Sequence, residues 1–169
     1  MSRTLYLMRH AKSAWDSGAA HDFERPLNER GVGDARKMGR WMAGAGLNPE
    51  RILASPAMRA WQTVIAVCRV LDFPPEAVDF DRRLYLADRD TLCGVIAETP
   101  ANIASQLLVA HNPGMEALLV HLLGDAAPPA IDGKVMPTAA LYALELPDEW
   151  GALGRGDARL LASQRPREL

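Results

Sequence analysis

The chain has 169 residues, 49% of them hydrophobic and 24% charged, with a formal net charge of −2. This composition suits an ordinary globular protein with one substantial core, and a single domain is expected over residues 1–169. No basic excess points to nucleic acid and no apolar run is long enough to cross a membrane, so neither is expected as a partner.

The apolar stretch before Arg9 is too short for a secretory signal core. Cys68 and Cys93 lie far apart with no CxxC spacing. Two reduced thiols in a cytoplasmic protein are therefore expected.

Leu5-Tyr6-Leu7-Met8 is a continuous apolar run that leads into Arg9-His10. It reads as a buried strand of a parallel sheet, stopping at about His10. A loop follows from Ala11 to Pro26. Leu27 to Ala45 reads as a helix, with Leu27, Ala35, Met38, Trp41 or Met42 and Ala45 at helical spacing and Asn28 placed to cap it. Gly31, Gly33 and Gly39 weaken that helix on propensity alone.

Arg51 to Ser55 is the next expected strand, stopped by Pro56. Ala57 to Leu71 reads as a helix, with Trp61, Val64 or Ile65, Cys68 and Leu71 as its buried stripe. Ala77 to Phe80 is a short strand, and Arg83 to Asp88 a loop with apolar anchors. Arg89 to Thr99 is a helix. Leu107 to Ala110 is a second continuous apolar strand, ending at His111. Met115 to Leu123 is a helix, and the Pro-rich loop Ala126 to Pro137 leads to strands over 139–146 and 158–163. This alternation predicts an α/β fold: a mostly parallel central sheet with helices on both faces.

In such a sheet the carboxyl ends of the strands share one edge, where ligands bind. Arg9-His10 ends one strand, Ser55-Pro56 ends another with Arg59 one turn into its helix, and His111 ends a third. Two guanidiniums offer forked donors for phosphate oxygens, and an imidazole can attack phosphorus. A second imidazole, protonated beside a dianion, can stabilise spreading charge. A metal site fits less well, because the arginines repel a cation and no carboxylate neighbours either His in sequence. No metal and no other cofactor is expected. His21 and His121 have no partner spacing and are read as structural.

Leu5 through Trp15, with Arg9-His10-Ala11 at its centre, resembles the Arg-His-Gly signature of the histidine phosphatase superfamily, also called the phosphoglycerate mutase-like superfamily. Ser55-Pro56-Ala57-Met58-Arg59-Ala60-Trp61-Gln62-Thr63 is similar to its second motif, and His111-Asn112-Pro113-Gly114 to its third. Arg25-Pro26-Leu27 and the short length resemble the SixA-type phosphohistidine phosphatase branch. The resemblance implies His10 as nucleophile, Arg9 and Arg59 as phosphate clamps, and His111 as the charge-stabilising partner. It implies Arg25 as a further phosphate contact, with Ser13 and Asp16 as candidate substrate-binding residues. Ala11 replaces the usual Gly. Asp16 stands where many mutase-like members have Asn, and a proton-donor role is one reading of it. No motif-matched glutamate acid can be placed; Tyr85 and Asp88 only neighbour that region.

A site without a clear acid suits P–N cleavage, since imidazole leaves more easily than an alkoxide. The expected activity is a metal-independent phosphatase acting on phosphohistidine, on a protein, through a phosphorylated His10. The alternatives are a phosphatase for small phosphate esters or nucleotide-like compounds, and a non-catalytic phosphate- or phosphoprotein-binding module.

Overall fold

In a computed structural model covering residues 1–169, ten regular elements follow one another: β1 (Arg3–Arg9), α1 (Glu29–Gly44), β2 (Arg51–Ala54), α2 (Met58–Leu71), β3 (Asp79–Phe80), α3 (Arg89–Ala97), β4 (Ser105–Ala110), α4 (Gly114–Leu123), β5 (Leu141–Leu146) and β6 (Arg159–Gln164). The six strands form one sheet in the order β3-β2-β4-β1-β5-β6. β1 to β4 run parallel, and β5 pairs antiparallel with β1 and with β6. No helix is long and apolar enough to cross a membrane.

Alternation along the strands sends side chains to two cores. Leu5 and Leu7 of β1, with Leu108 of β4, pack under α3 and α4. Tyr6 and Met8, with Leu107 and Val109, pack under α1 and α2. Both faces of β1 and β4 are therefore covered, which is why these strands read as unbroken apolar runs.

The cap of α1 is the expected one: Asn28 Oδ1 accepts the Gly31 amide at 2.8 Å. Gly31 itself is a requirement of packing. A Cβ there would sit 2.0 Å from the Lys12 carbonyl oxygen, so only glycine lets α1 start against the loop that follows β1. Gly114 plays the same part for α4, where a Cβ would lie 1.9 Å from the Ala87 carbonyl oxygen. Asp88 caps α3, its Oδ1 accepting the Thr91 amide at 2.8 Å.

The buried face of α2 keeps Val64 and Cys68 of the expected stripe but not Trp61. Trp61 is 43% exposed, and the sheet side carries Ala60, Thr63, Val64 and Val67. Small residues serve here because α1 and α2 pack closely: a Cβ on Gly39 would come within 3.4 Å of Val67 Cα. β3 is also shorter than expected, since Pro75–Ala77 forms a 3-10 turn before it.

Candidate active site

The register places three strand ends together. Arg9 at the end of β1 lies opposite Ala110 at the end of β4. The His10 amide donates to the Ala110 carbonyl at 3.1 Å, and the Ser55 amide to the Val109 carbonyl at 3.0 Å. His10 and His111 thereby become neighbours, with ring centroids 5.2 Å apart. Arg59 enters from the first turn of α2. These side chains line one cavity of about 340 Å³, together with Ser13 and Arg25 from the loop after β1. Lys12, Trp15, Asp22, Leu86, Asn112 and Thr138 complete the wall.

Each guanidinium is anchored through an Nη atom. Arg9 Nη1 donates to the Met136 carbonyl at 3.2 Å. Arg25 Nη1 donates to Ser13 Oγ, and its Nη2 to Asp22 Oδ1 at 3.1 Å. Arg59 Nη1 donates to the Asp22 carbonyl at 2.8 Å and Nη2 to Asp22 Oδ2 at 2.9 Å. The Nε atoms of Arg9, Arg25 and Arg59 are buried without a partner, and so is His111 Nδ1. Buried polar atoms are ordinarily satisfied. Three orphaned Nε–H donors in side chains lining one cavity mark a place that takes hydrogen-bond acceptors.

The two imidazoles are held differently. His10 Nδ1 lies 2.7 Å from the Ala11 carbonyl oxygen. A carbonyl only accepts, so Nδ1 carries the proton and Nε2 is left as the basic nitrogen. Burial pushes the His10 pKa well below the ordinary value, with the charges of Arg59 and Arg9 acting the same way and the Ala11 bond opposing. His111 Nε2 pairs with Ser55 Oγ at 2.7 Å. Burial, then Arg59, lowers its pKa to about 3. His111 is thus neutral unless an anion comes beside it, and the protonated ring expected from the sequence is the one beside a dianion.

The second stretch around Arg59 also ties the site together. Thr63 Oγ accepts the Ala11 amide at 3.0 Å and donates to the Arg59 carbonyl at 2.7 Å. Gln62 Oε1 accepts the Leu27 amide at 2.8 Å, next to the Arg25 segment. On the other side, Glu116 Oε1 accepts the amides of Val135 and Met136 at 2.8 and 2.7 Å, fixing the carbonyl that anchors Arg9. Two residues beside the pocket hold positive φ without being glycine: Leu86 at 51° and Ala139 at 63°. The Ala139 amide donates to the carbonyls of both Arg9 and His10, so the strain of about 1–3 kcal/mol is held by the loop that fixes these two residues.

Asp16, expected to bind substrate, lies away from the site. It is exposed in the bend after Trp15 and does not line the cavity. The carboxylate at the wall is Asp22, in a 3-10 turn of residues Asp22–Glu24 that buries none of its residues. Besides the two arginines it accepts the Tyr85 hydroxyl at 2.6 Å. That bond, with those from Arg25 and Arg59, holds its pKa far below the usual carboxylate range. Tyr85 also packs edge-on against His111, with centroids 5.5 Å apart. Neither Asp22 nor Tyr85 has a sequence signal beyond lying near the motifs. No group of three or more His, Cys, Asp or Glu side chains converges to hold a metal ion.

Comparisons with known proteins fit this geometry. The family model of the histidine phosphatase superfamily (branch 1) matches residues 5–85, which include β1, the Asp22 loop and Arg59. The phosphohistidine phosphatase SixA of Escherichia coli is 30% identical over 138 residues, covering 81% of this chain and 84% of that protein. A structure of the protein histidine phosphatase SixA in complex with tungstate superposes with a TM-score of 0.80 at 28% identity, covering 98% of both chains. A protein of Agrobacterium tumefaciens named for SixA superposes with a TM-score of 0.78 at 31% identity, covering 98% of this chain and 99% of that one. Likeness of this extent, reaching across every strand end that builds the cavity, places the chain among the phosphatases of the histidine phosphatase superfamily.

Proposed function

We propose that the chain hydrolyses phosphohistidine on a protein through a covalent phosphoryl-His10 intermediate, without a metal ion. The carrying observation is the combination at His10: an imidazole with its Nδ1 proton committed to Ala11, in one cavity with three anchored guanidiniums that keep unpartnered Nε atoms. Burial keeps His10 neutral and therefore nucleophilic at neutral pH. Arg9, Arg25 and Arg59 meet the phosphoryl oxygens and supply the positive charge that a metal supplies elsewhere. A dianion in the pocket favours protonation of His111, turning its orphaned Nδ1 into a charged donor. Ser13 holds Arg25 in place.

The phosphohistidine reading rests on the leaving group. Asp22 is the one carboxylate at the cavity wall, and three side-chain donors hold it ionised. It has no proton to give an alkoxide, whereas protonated phosphohistidine releases neutral imidazole unaided. A protein substrate fits the mouth of the pocket, where Trp15 and Leu86 are 76% and 54% exposed. The SixA relatives are named as phosphohistidine phosphatases, which supports the same substrate.

The test compares a phosphohistidine-bearing protein with p-nitrophenyl phosphate and sugar phosphates in chelator-treated buffer. Phosphohistidine should have the highest kcat/KM, and a rapid alkaline denaturing quench should trap phosphate on His10. Preference for a sugar phosphate would overturn the substrate, and turnover with no label on His10 would overturn the intermediate.

A further inference from the structure

We infer that Asp22 is a specificity-determining residue, whose ionised carboxylate pairs with the cationic ring of a protonated phosphohistidine and so selects P–N over P–O substrates. This rests on the phosphohistidine reading above. A carboxylate has roughly four acceptor positions. Asp22 Oδ2 takes the Tyr85 hydroxyl and Arg59 Nη2, while Oδ1 takes only Arg25 Nη2. One position on Oδ1 is therefore open, on a side chain that is 42% exposed at the cavity wall.

Phosphohistidine protonated on its second ring nitrogen presents a charged N–H donor, which is what that position lacks. The surroundings make the pairing necessary. Arg9, Arg25, Arg59 and Lys12 line the same cavity, and Arg82 stacks over Phe23 beside Asp22 at 5.5 Å. His111, protonated beside the phosphoryl group of a substrate, adds to these cations, and burial keeps the neighbouring Tyr85 hydroxyl neutral. The cations disfavour an imidazolium; Glu116 opposes Arg9 from outside the cavity, and Asp22 is the carboxylate that opposes them at its wall. Arg59 still serves both partners: Asp22 occupies one N–H on each Nη, leaving Nε–H and one N–H on each Nη for the phosphoryl oxygens.

The transfer balances without a proton step. The His10 Nε2 lone pair forms a bond to phosphorus as the substrate P–N bond breaks. That electron pair returns to the departing ring. The proton already on its other nitrogen stays there, so neutral imidazole leaves. A phosphate ester at the same place directs a developing oxyanion at a carboxylate, which disfavours it.

The experiment measures kcat/KM and the pH profile of kcat for the full chain and for Asp22→Asn, with N-phosphohistidine and p-nitrophenyl phosphate. An opposite charge at this range moves a pKa by about one unit or more. In Asp22→Asn the alkaline limb of the phosphohistidine profile should move down by about one pH unit. The ratio of phosphohistidine to p-nitrophenyl phosphate kcat/KM at pH 8 should fall about tenfold. Asp22→Glu, which keeps the charge, should keep the limb in place. Equal losses on both substrates with an unmoved limb would overturn the inference, leaving Asp22 as a support for Arg59. A wild-type chain inactive on phosphohistidine would overturn the substrate reading as well, so the two failures are distinguishable.

Discussion

Thr63→Val tests whether one hydroxyl joins the two halves of the site. The substitution keeps the shape of a fully buried side chain and removes its oxygen. The Ala11 amide, beside His10, then has no acceptor, and an unsatisfied buried donor costs about 1–3 kcal/mol. Loss of the bond to the Arg59 carbonyl adds about 0.5–1.5 kcal/mol. A total of about 1.5–4.5 kcal/mol corresponds to a fall in Tm of about 3–18 °C for a chain of this size. Thr63→Ser keeps the oxygen and loses one methyl group, which costs about 1 kcal/mol. Urea and thermal unfolding of both variants would measure the difference. Should Thr63→Val match Thr63→Ser in stability, the hydroxyl is not holding the Ala11 loop and the reasoning fails.

Further outcomes are expected. His10→Ala should abolish turnover and phosphate labelling, while Arg59→Ala should weaken both phosphate binding and kcat by about tenfold or more; near wild-type activity in His10→Ala would refute the nucleophile. Both buried imidazoles are neutral in the fold but take up a proton near pH 6.5 once the chain unfolds. The unfolded state therefore binds more protons below about pH 6.5, and stability should fall from there toward about pH 3, where His111 itself protonates; equal urea midpoints at pH 7 and pH 5 would contradict this. Gly31→Ala should destabilise by more than about 2 kcal/mol, because its Cβ meets backbone. Gly33→Ala, with nothing within 4 Å of its Cβ, should stabilise by about 0.5–1 kcal/mol, as thermal melts would show.

The strand ends were legible because burial on both faces leaves a continuous apolar run, and such a run stops where the sheet does. Arg9, His10 and His111 could be placed on one edge from that alone. The cap at Asn28 followed from residue type. Trp61 was misread because periodicity gives a helix face only to within one residue, and tight packing against α1 turned the small side chains inward. Asp22 was illegible for a different reason. A loop has no period, and what brings this carboxylate to Arg59 is a 3-10 turn with Phe23 set edge-on against Tyr85, centroids 5.0 Å apart. Asp16 was named because it stands where many mutase-like members have Asn, a position that the bend after β1 turns away from the cavity. Gly31 looked like a flaw in a helix until the Lys12 carbonyl appeared beside it.

The strand that delivers His10 is interior to the sheet, flanked by β4 and β5. Its amides should exchange with solvent hydrogen only when the whole chain opens, whereas the turn carrying Asp22 has no fully buried residue and should open at lower cost. Sub-denaturing urea should therefore erode substrate discrimination before it erodes the nucleophile.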